Sequence, residues 1–362
     1  MKRQLLSLVV LLLASLAHAD GPTKGRFLYV AEPGVRDYQK WGGLGILVFD
    51  IDNGHKLVKR IPGPHAKDKS INVKGICAST VTKKLYMTTP VKLYCIDLKT
   101  EKLDWVKELP LGCDRMSMTP DGKVLYVPSY EKETWNVVDA RTGDIIETIT
   151  TKSGAHNTVV ALDGRRMYMA GLRSPFLDVA DTKTHKVTQR IGPFSAPIRP
   201  FTVNGAQTLA YCTVNGLLGF EIGDIKSGKV IHKVEIQGFK QGKVDRHGCP
   251  SHGVGLTPDE KEVWVVDAAN RRVHIFDNTV MPPKQVMSIE LREQPGWITF
   301  SVDGKFAYPS TGEVIDTKTR KIILGLMDEE GREVQSEKVM EIDFEDGVPV
   351  LVGDQFGVGR KR

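Results

Sequence analysis

Residues 112–150 read GCDRMSMTPDGKVLYVPSYEKETWNVVDARTGDIIETIT, and the rest of the chain repeats this stretch. A short apolar run, Met116 to Thr119, meets a turn at Pro120-Asp121-Gly122. Two β-rich runs follow, Val124 to Pro128 and Trp135 to Val138. The corner Asp139-Ala140-Arg141-Thr142-Gly143 then leads into Ile145 to Ile149. Proline presets φ and glycine accepts positive φ, so Pro-Asp-Gly suits a tight hairpin; an Asp can bond its own backbone two residues on. The spacing predicts four short antiparallel strands, A to D.

The unit recurs seven times. Strand C ends in Asp50, Asp97, Asp139, Asp181, Asp224, Asp277 and Asp316. Strand B recurs as Leu28-Tyr29-Val30, Leu85-Tyr86-Met87, Leu125-Tyr126-Val127, Met167-Tyr168-Met169, Ala210-Tyr211-Cys212, Val263-Trp264-Val265 and Ala307-Tyr308-Pro309. One such sheet has open edges and too little core to stand alone, but seven packed radially bury both faces. The first unit lacks a strand A, while Lys338 to Gly347 (KVMEIDFEDG) is a surplus strand A with its turn. The expected fold is all-β: a seven-bladed β-propeller of four-stranded antiparallel blades, closed by a C-terminal strand that completes the first blade.

The N-terminus has a basic start, an apolar run from Leu5 to Leu16 and the small-residue end Ala17-His18-Ala19. That is the pattern of a secretory signal peptide, residues 1–19, cleaved after Ala19. Residues 20–362 then form a single propeller domain, exported to the periplasm or secreted. The apolar run is short of the about 20 residues a bilayer span needs, so no membrane span is expected. The formal net charge of +6 falls by two when Lys2 and Arg3 leave, too little to argue for a nucleic-acid partner. The basic end Arg360-Lys361-Arg362 reads as a solvated tail. The five cysteines, Cys77, Cys95, Cys113, Cys212 and Cys249, are an odd number; three lie in apolar strands, so this is no disulfide scaffold. Cys113 and Cys249 head different blades, and a bridge between them is not expected because a disulfide needs Cα atoms within about 7 Å.

The PDG turns, the Leu-Tyr-Val strand and the Asp-x-x-Thr-Gly corner resemble those of YVTN-type β-propellers, within the wider group similar to the heavy subunit of quinoprotein amine dehydrogenases. The resemblance spans nearly the whole chain beyond residue 19. It implies the fold, but its members include binding proteins, non-catalytic subunits of redox complexes and a few enzymes. It implies no cofactor, since the tryptophan tryptophylquinone of the amine dehydrogenases resides on their other subunit.

Stepping back twelve residues from each strand-B aromatic, or eleven from Tyr126 of the third blade, reaches the head of strand A. The heads are Lys74, Arg115, His156, Arg199, His252, Gly296 beside Trp297, and Val339 beside Lys338. Taken singly, such residues are polar plugs of a wet channel. Five together make a cationic mouth that an anion or metal must offset. Lys74, Arg115, His156, Arg199, His252 and Trp297 are therefore the expected ligand-binding residues, the histidines staying neutral until an anion arrives. Arg36, Arg173, Arg271 and Arg272, with Tyr38 and Trp41, are expected on the same face, where Arg forks suit carboxylate or phosphate.

The enlarged loop from Lys240 to His252, KQGKVDRHGCPSH, holds three metal candidates within six residues, and His156 and Cys113 head other blades on the same face. His156, His247, Cys249 and His252 would suit copper or zinc, but paired Cys-x-x-Cys or His-x-x-x-His spacing is absent, so an ordinary turn and no cofactor are expected. His55, His65, His185, His232 and His274 read as structural. No nucleophile elbow, Walker loop, haem-attachment or dinucleotide motif is present.

The reading that follows is an exported, cofactor-free propeller binding an anionic small molecule or a partner protein at its channel mouth, as in a non-catalytic subunit of a periplasmic redox complex. The alternative is a lactonase-like hydrolase or lyase, metal-dependent or not, acting on a carboxylate-bearing substrate. There His156 or His252 is the base or metal ligand, and Arg115 and Arg199 hold the carboxylate.

Overall fold

The computed structural model describes residues 21–361; the expected signal peptide lies outside them. Seven antiparallel sheets hold every strand described, and the only helix among the described residues is a 3-10 turn, Pro64–Lys67. The third blade runs Ser117–Met118, Val124–Pro128, Thr134–Asp139 and Ile145–Thr150, in that spatial order.

Each expected Asp ends its strand C and has one local task. Asp139 Oδ1 accepts the backbone N–H groups of Arg141 (2.8 Å) and Thr142 (3.0 Å), closing the C–D corner. Asp50, Asp97, Asp181, Asp224, Asp277 and Asp316 do the same in the other six blades. These bonds favour the ionised form and hold the Asp97 carboxyl down at about 2, against the desolvation of its partial burial.

The strand-B aromatics tie neighbouring blades together. Their rings are buried, and each tyrosine hydroxyl tip needs a partner. Tyr86 donates to the carbonyl of Ala140 (3.0 Å), Tyr126 meets His185 Nδ1 (2.6 Å), and Tyr211 donates to Asn278 (3.0 Å). Tyr308 of the last blade meets His55 Nε2 of the first at 3.0 Å, so the same joint crosses the closure of the ring. His55, His65, His185 and His274 all have such structural bonds.

Closure is by the C-terminus. Strand Val339–Glu345 pairs antiparallel with Gly25–Glu32, with Val30 opposite Val339 and Gly25 opposite Phe344. The expected four strands become five in this blade, because Asp346 and Gly347 both adopt positive φ and fold a hairpin into a further strand, Val348–Val352.

Of the basic end expected to be solvated, Lys361 is exposed and Arg362 lies outside the described residues, but Arg360 and the residues before it are held against the ring. After Val352 the chain crosses the channel at its A–B-turn end. Gln355 reaches Met116 of the third blade, the Gly357 carbonyl accepts from Leu256 N and Thr202 Oγ1, and Gly359 N donates to Val203. Arg360 pairs with Asp354 at 3.3 Å, and Lys361 N donates to Glu260. The inner edge strands offer unpaired backbone groups, and the tail satisfies them.

Candidate anion site at the channel mouth

At the opposite end of the channel a pocket of about 280 Å³ opens among the strand-A heads. Lys74, Arg115, His156, Arg199 and His252 all line it, as the blade alignment predicts. Lys338, Arg36 and Arg246 join them, making six cationic side chains against two carboxylates, Glu131 and Glu337. The outer cations do not reach the pocket: Arg173 donates to the Glu131 carbonyl and Arg272 pairs with Glu290. Tyr38 packs edge-on against Trp41, and Arg246 lies 4.1 Å over the Trp41 ring.

Trp297 lies one layer down. It is buried, outside the pocket lining, with the Arg115 guanidinium 4.0 Å above its ring and its indole N–H donated to the Gln355 carbonyl. It supports Arg115 from below and links the pocket floor to the C-terminal tail.

Two buried carboxylates, absent from the sequence-based set, organise the floor. Glu337 accepts from Arg115 and, at 3.0 Å, from Lys338 Nζ, and meets His247 Nδ1 at 3.1 Å. Asp114 accepts the Arg115 backbone N–H (3.0 Å), meets His156 Nδ1 (2.6 Å), and has Lys74 Nζ at 3.5 Å. Burial pushes both carboxyls up, but their cationic and hydrogen-bonded neighbours win: Lys338 and Arg115 hold Glu337 well below the usual carboxylate range, and His156 and Lys74 hold Asp114 below it. Like charges at the heads are thus partly offset from within. A single signal for this was in the sequence, an acidic residue directly before a basic head, as in Asp114-Arg115 and Glu337-Lys338.

The charge surplus registers on Lys338. Burial first, then repulsion from Arg115 and Lys74, lowers its ammonium to about 7 despite Glu337. All three histidines are lowered, and burial is the first cause in each; Asp114 opposes it at His156 and Glu337 at His247, and repulsion from the cations comes after. His247 is lowered to about 4, His252 falls well below the ordinary value, and His156 is lowered as well.

The two bases of the catalytic alternative differ. His156 Nε2 faces the Arg115 guanidinium at 3.3 Å, so its lone pair is occupied. His252 donates Nδ1–H to the Gly296 carbonyl at 2.7 Å, which leaves Nε2 as its acceptor in the pocket lining. Of the metal candidates, His247 and His252 come together with Glu337, one ligand atom each within 4.8 Å of the others. His156 stands apart beside Asp114. Cys249 is not part of that group: its buried Sγ–H donates to the Ser251 carbonyl, 3.1 Å away. All five cysteines are free, as expected of Cys113 and Cys249.

The fold and this mouth define a seven-bladed β-propeller with a charged, channel-end pocket. No family model and no curated protein matches the chain. Among solved structures it is similar to dihydro-heme d1 dehydrogenase NirN in complex with DHE, at 14% identity and a TM-score of 0.62 over 92% of this chain and 74% of that one. A likeness to the hydrazine synthase of Kuenenia stuttgartiensis covers 74% of this chain and 99% of that one at 16% identity, with a TM-score of 0.47. At such identities the first shares the propeller fold, and the second is too distant to argue from.

Proposed function

We propose that this is an exported propeller that binds a small acidic molecule at the channel mouth. The observation that carries the reading is that six Lys and Arg side chains line one pocket of about 280 Å³, against Glu131 and Glu337 in the lining, Asp114 beside Lys74 and Glu293 beside Arg246. That volume lies just under the about 300–1,000 Å³ of small-molecule pockets and holds about nine waters, which suits a small di- or tricarboxylate, phosphate ester or sugar acid. Arg199 is the best-placed anion fork, since among the described residues its side chain bonds only from Nε to Asn215, at 2.6 Å, and no carboxylate pairs with it. Export rests on the sequence pattern of residues 1–19. A place as a non-catalytic subunit of a periplasmic redox complex draws on the YVTN-type resemblance and on the fold shared with a redox enzyme described with DHE bound.

The test is a melting-temperature screen of small carboxylates, phosphates and uronic acids. A ligand that binds only the folded state stabilises it by mass action, by about 2.7 kcal/mol at a hundred times its Kd. We expect a gain that Arg199→Ala removes and Lys186→Ala, on an outer strand, preserves. Equal shifts in wild type and Arg199→Ala for every anion would reduce the mouth to ordinary channel lining. The hydrolase or lyase reading keeps one foothold, the neutral His252 with Nε2 as its acceptor in the pocket lining, and is tested by turnover of lactones and hydroxy acids in wild type against His252→Ala.

A further inference from the structure

We propose that His247, His252 and Glu337 form a three-point site for a divalent transition-metal ion whose remaining coordination positions open into the anion pocket. The donors come from separate places in the chain: the enlarged loop before the sixth blade, the head of its strand A, and the segment entering the closing strand. One ligand atom of each lies within 4.8 Å of the other two. His247 Nδ1 and Glu337 Oε1 are already 3.1 Å apart, the spacing of adjacent ligands around an ion with bonds of about 2.0–2.2 Å. The ion takes the place of the proton between them, and the His247 imidazole then carries its proton on Nε2.

The surroundings orient the donors as outer-shell groups do around metals. The Gly296 carbonyl takes the His252 Nδ1 proton and so presents Nε2. Arg115 and Lys338 hold Glu337 by its other oxygen, Oε2, leaving Oε1 to the histidines. Gly296 makes the room: a Cβ there would stand 2.1 Å from His247 Cε1 and 2.3 Å from Glu337 Oε1. Two imidazoles and a carboxylate, with no thiolate, suit zinc, copper, iron or nickel, and three protein ligands leave positions free for a further ligand.

Arg115 and Lys338 oppose a bare dication, and this sets the chemistry. An anion bound to the open positions would neutralise metal and cations together, so each ligand should tighten the other's binding. The metal site stands on the three donors; only this coupling rests on the anion reading.

The experiment uses the purified full chain, stripped with EDTA and dialysed against Co2+ or Zn2+, with bound metal measured by elemental analysis and Co2+ also by its visible absorption. We expect one equivalent per chain, lost in His252→Ala and in Glu337→Gln, and kept in His232→Ala on an outer strand. His252→Ala leaves the Glu337 ion pairs intact, so the question is answered even if Glu337→Gln fails to fold. No uptake by wild type, or equal uptake by His252→Ala, overturns the site. A wild-type anion-dependent gain in melting temperature that persists in stripped protein would then show the pocket reading surviving without it. Acetate, a weak chelator, should raise Zn2+ affinity in wild type; an unchanged affinity overturns the coupling.

Discussion

Deleting the chain from Gln335 onward should prevent soluble folding. The segment contributes six buried apolar side chains: Val339, Met340, Ile342, Phe344, Phe356 and Val358. At about 1.5–3 kcal/mol for each fully buried side chain, the loss is about 9–18 kcal/mol, as large as the about 5–15 kcal/mol that stabilises a typical protein. The deletion also strips Gly25–Glu32 of one of its two partner strands and leaves Arg115 without Glu337. A stop after Val352 is the informative contrast. It removes only Phe356 and Val358 from the core, about 3–6 kcal/mol, together with the tail's hydrogen bonds, while every blade keeps its strands. We expect that shorter deletion to fold and to melt below wild type. The assay is soluble yield and thermal unfolding followed by far-UV circular dichroism. A protein ending before Gln335 with an unchanged transition would refute closure by the C-terminus, and an unshifted stop after Val352 would refute the tail's structural part.

Trp297→Phe should cost about 1–3 kcal/mol in urea unfolding, because it leaves the buried Gln355 carbonyl unpaired; an unmoved midpoint would contradict the link from pocket floor to tail. His55 should steepen the acid limb of stability. Burial, then Arg26, lowers its imidazole from 6.5 to about 4, with Asp50 and Asp52 opposing. The folded state holds it neutral while the unfolded state protonates it, so its contribution is full above pH 6.5 and is lost as pH falls towards about 4. His55→Gln should therefore lose less melting temperature than wild type across that window, and parallel curves would refute the assignment. Native protein at pH 8 should resist iodoacetamide, since burial pushes Cys95 and Cys249 up to about 12 and Cys77, Cys113 and Cys212 higher, whereas unfolded protein should take up five labels. Mass mapping that found a Cys113–Cys249 bridge would contradict the free thiols.

Repetition made the fold legible. Asp at the end of each strand C and an aromatic in each strand B answer needs that are local or confined to adjacent blades, a corner to close and an interface to fill, and such needs recur at a fixed interval in the sequence. The same interval located Lys74, His156, Arg199 and His252, with Arg115 one residue off it, because a closed ring brings equivalent positions to one mouth. What breaks the period stayed hidden. Asp114 stands twelve residues before Tyr126, on the register itself, but Glu337 sits two residues before Val339, and the ionisation of both depends on which cations the ring places over them. His247 comes from an insertion whose path over the mouth only packing determines, and Cys249, two residues on, turns away from it. The tail Gly353 to Lys361 has no repeat to imitate: it follows the unpaired backbone of inner strands that exist only once seven blades have closed. Local sequence could therefore determine the blade and the ring, whereas the charge balance of the mouth and the sealing of the channel were decided by contacts between residues far apart in the chain.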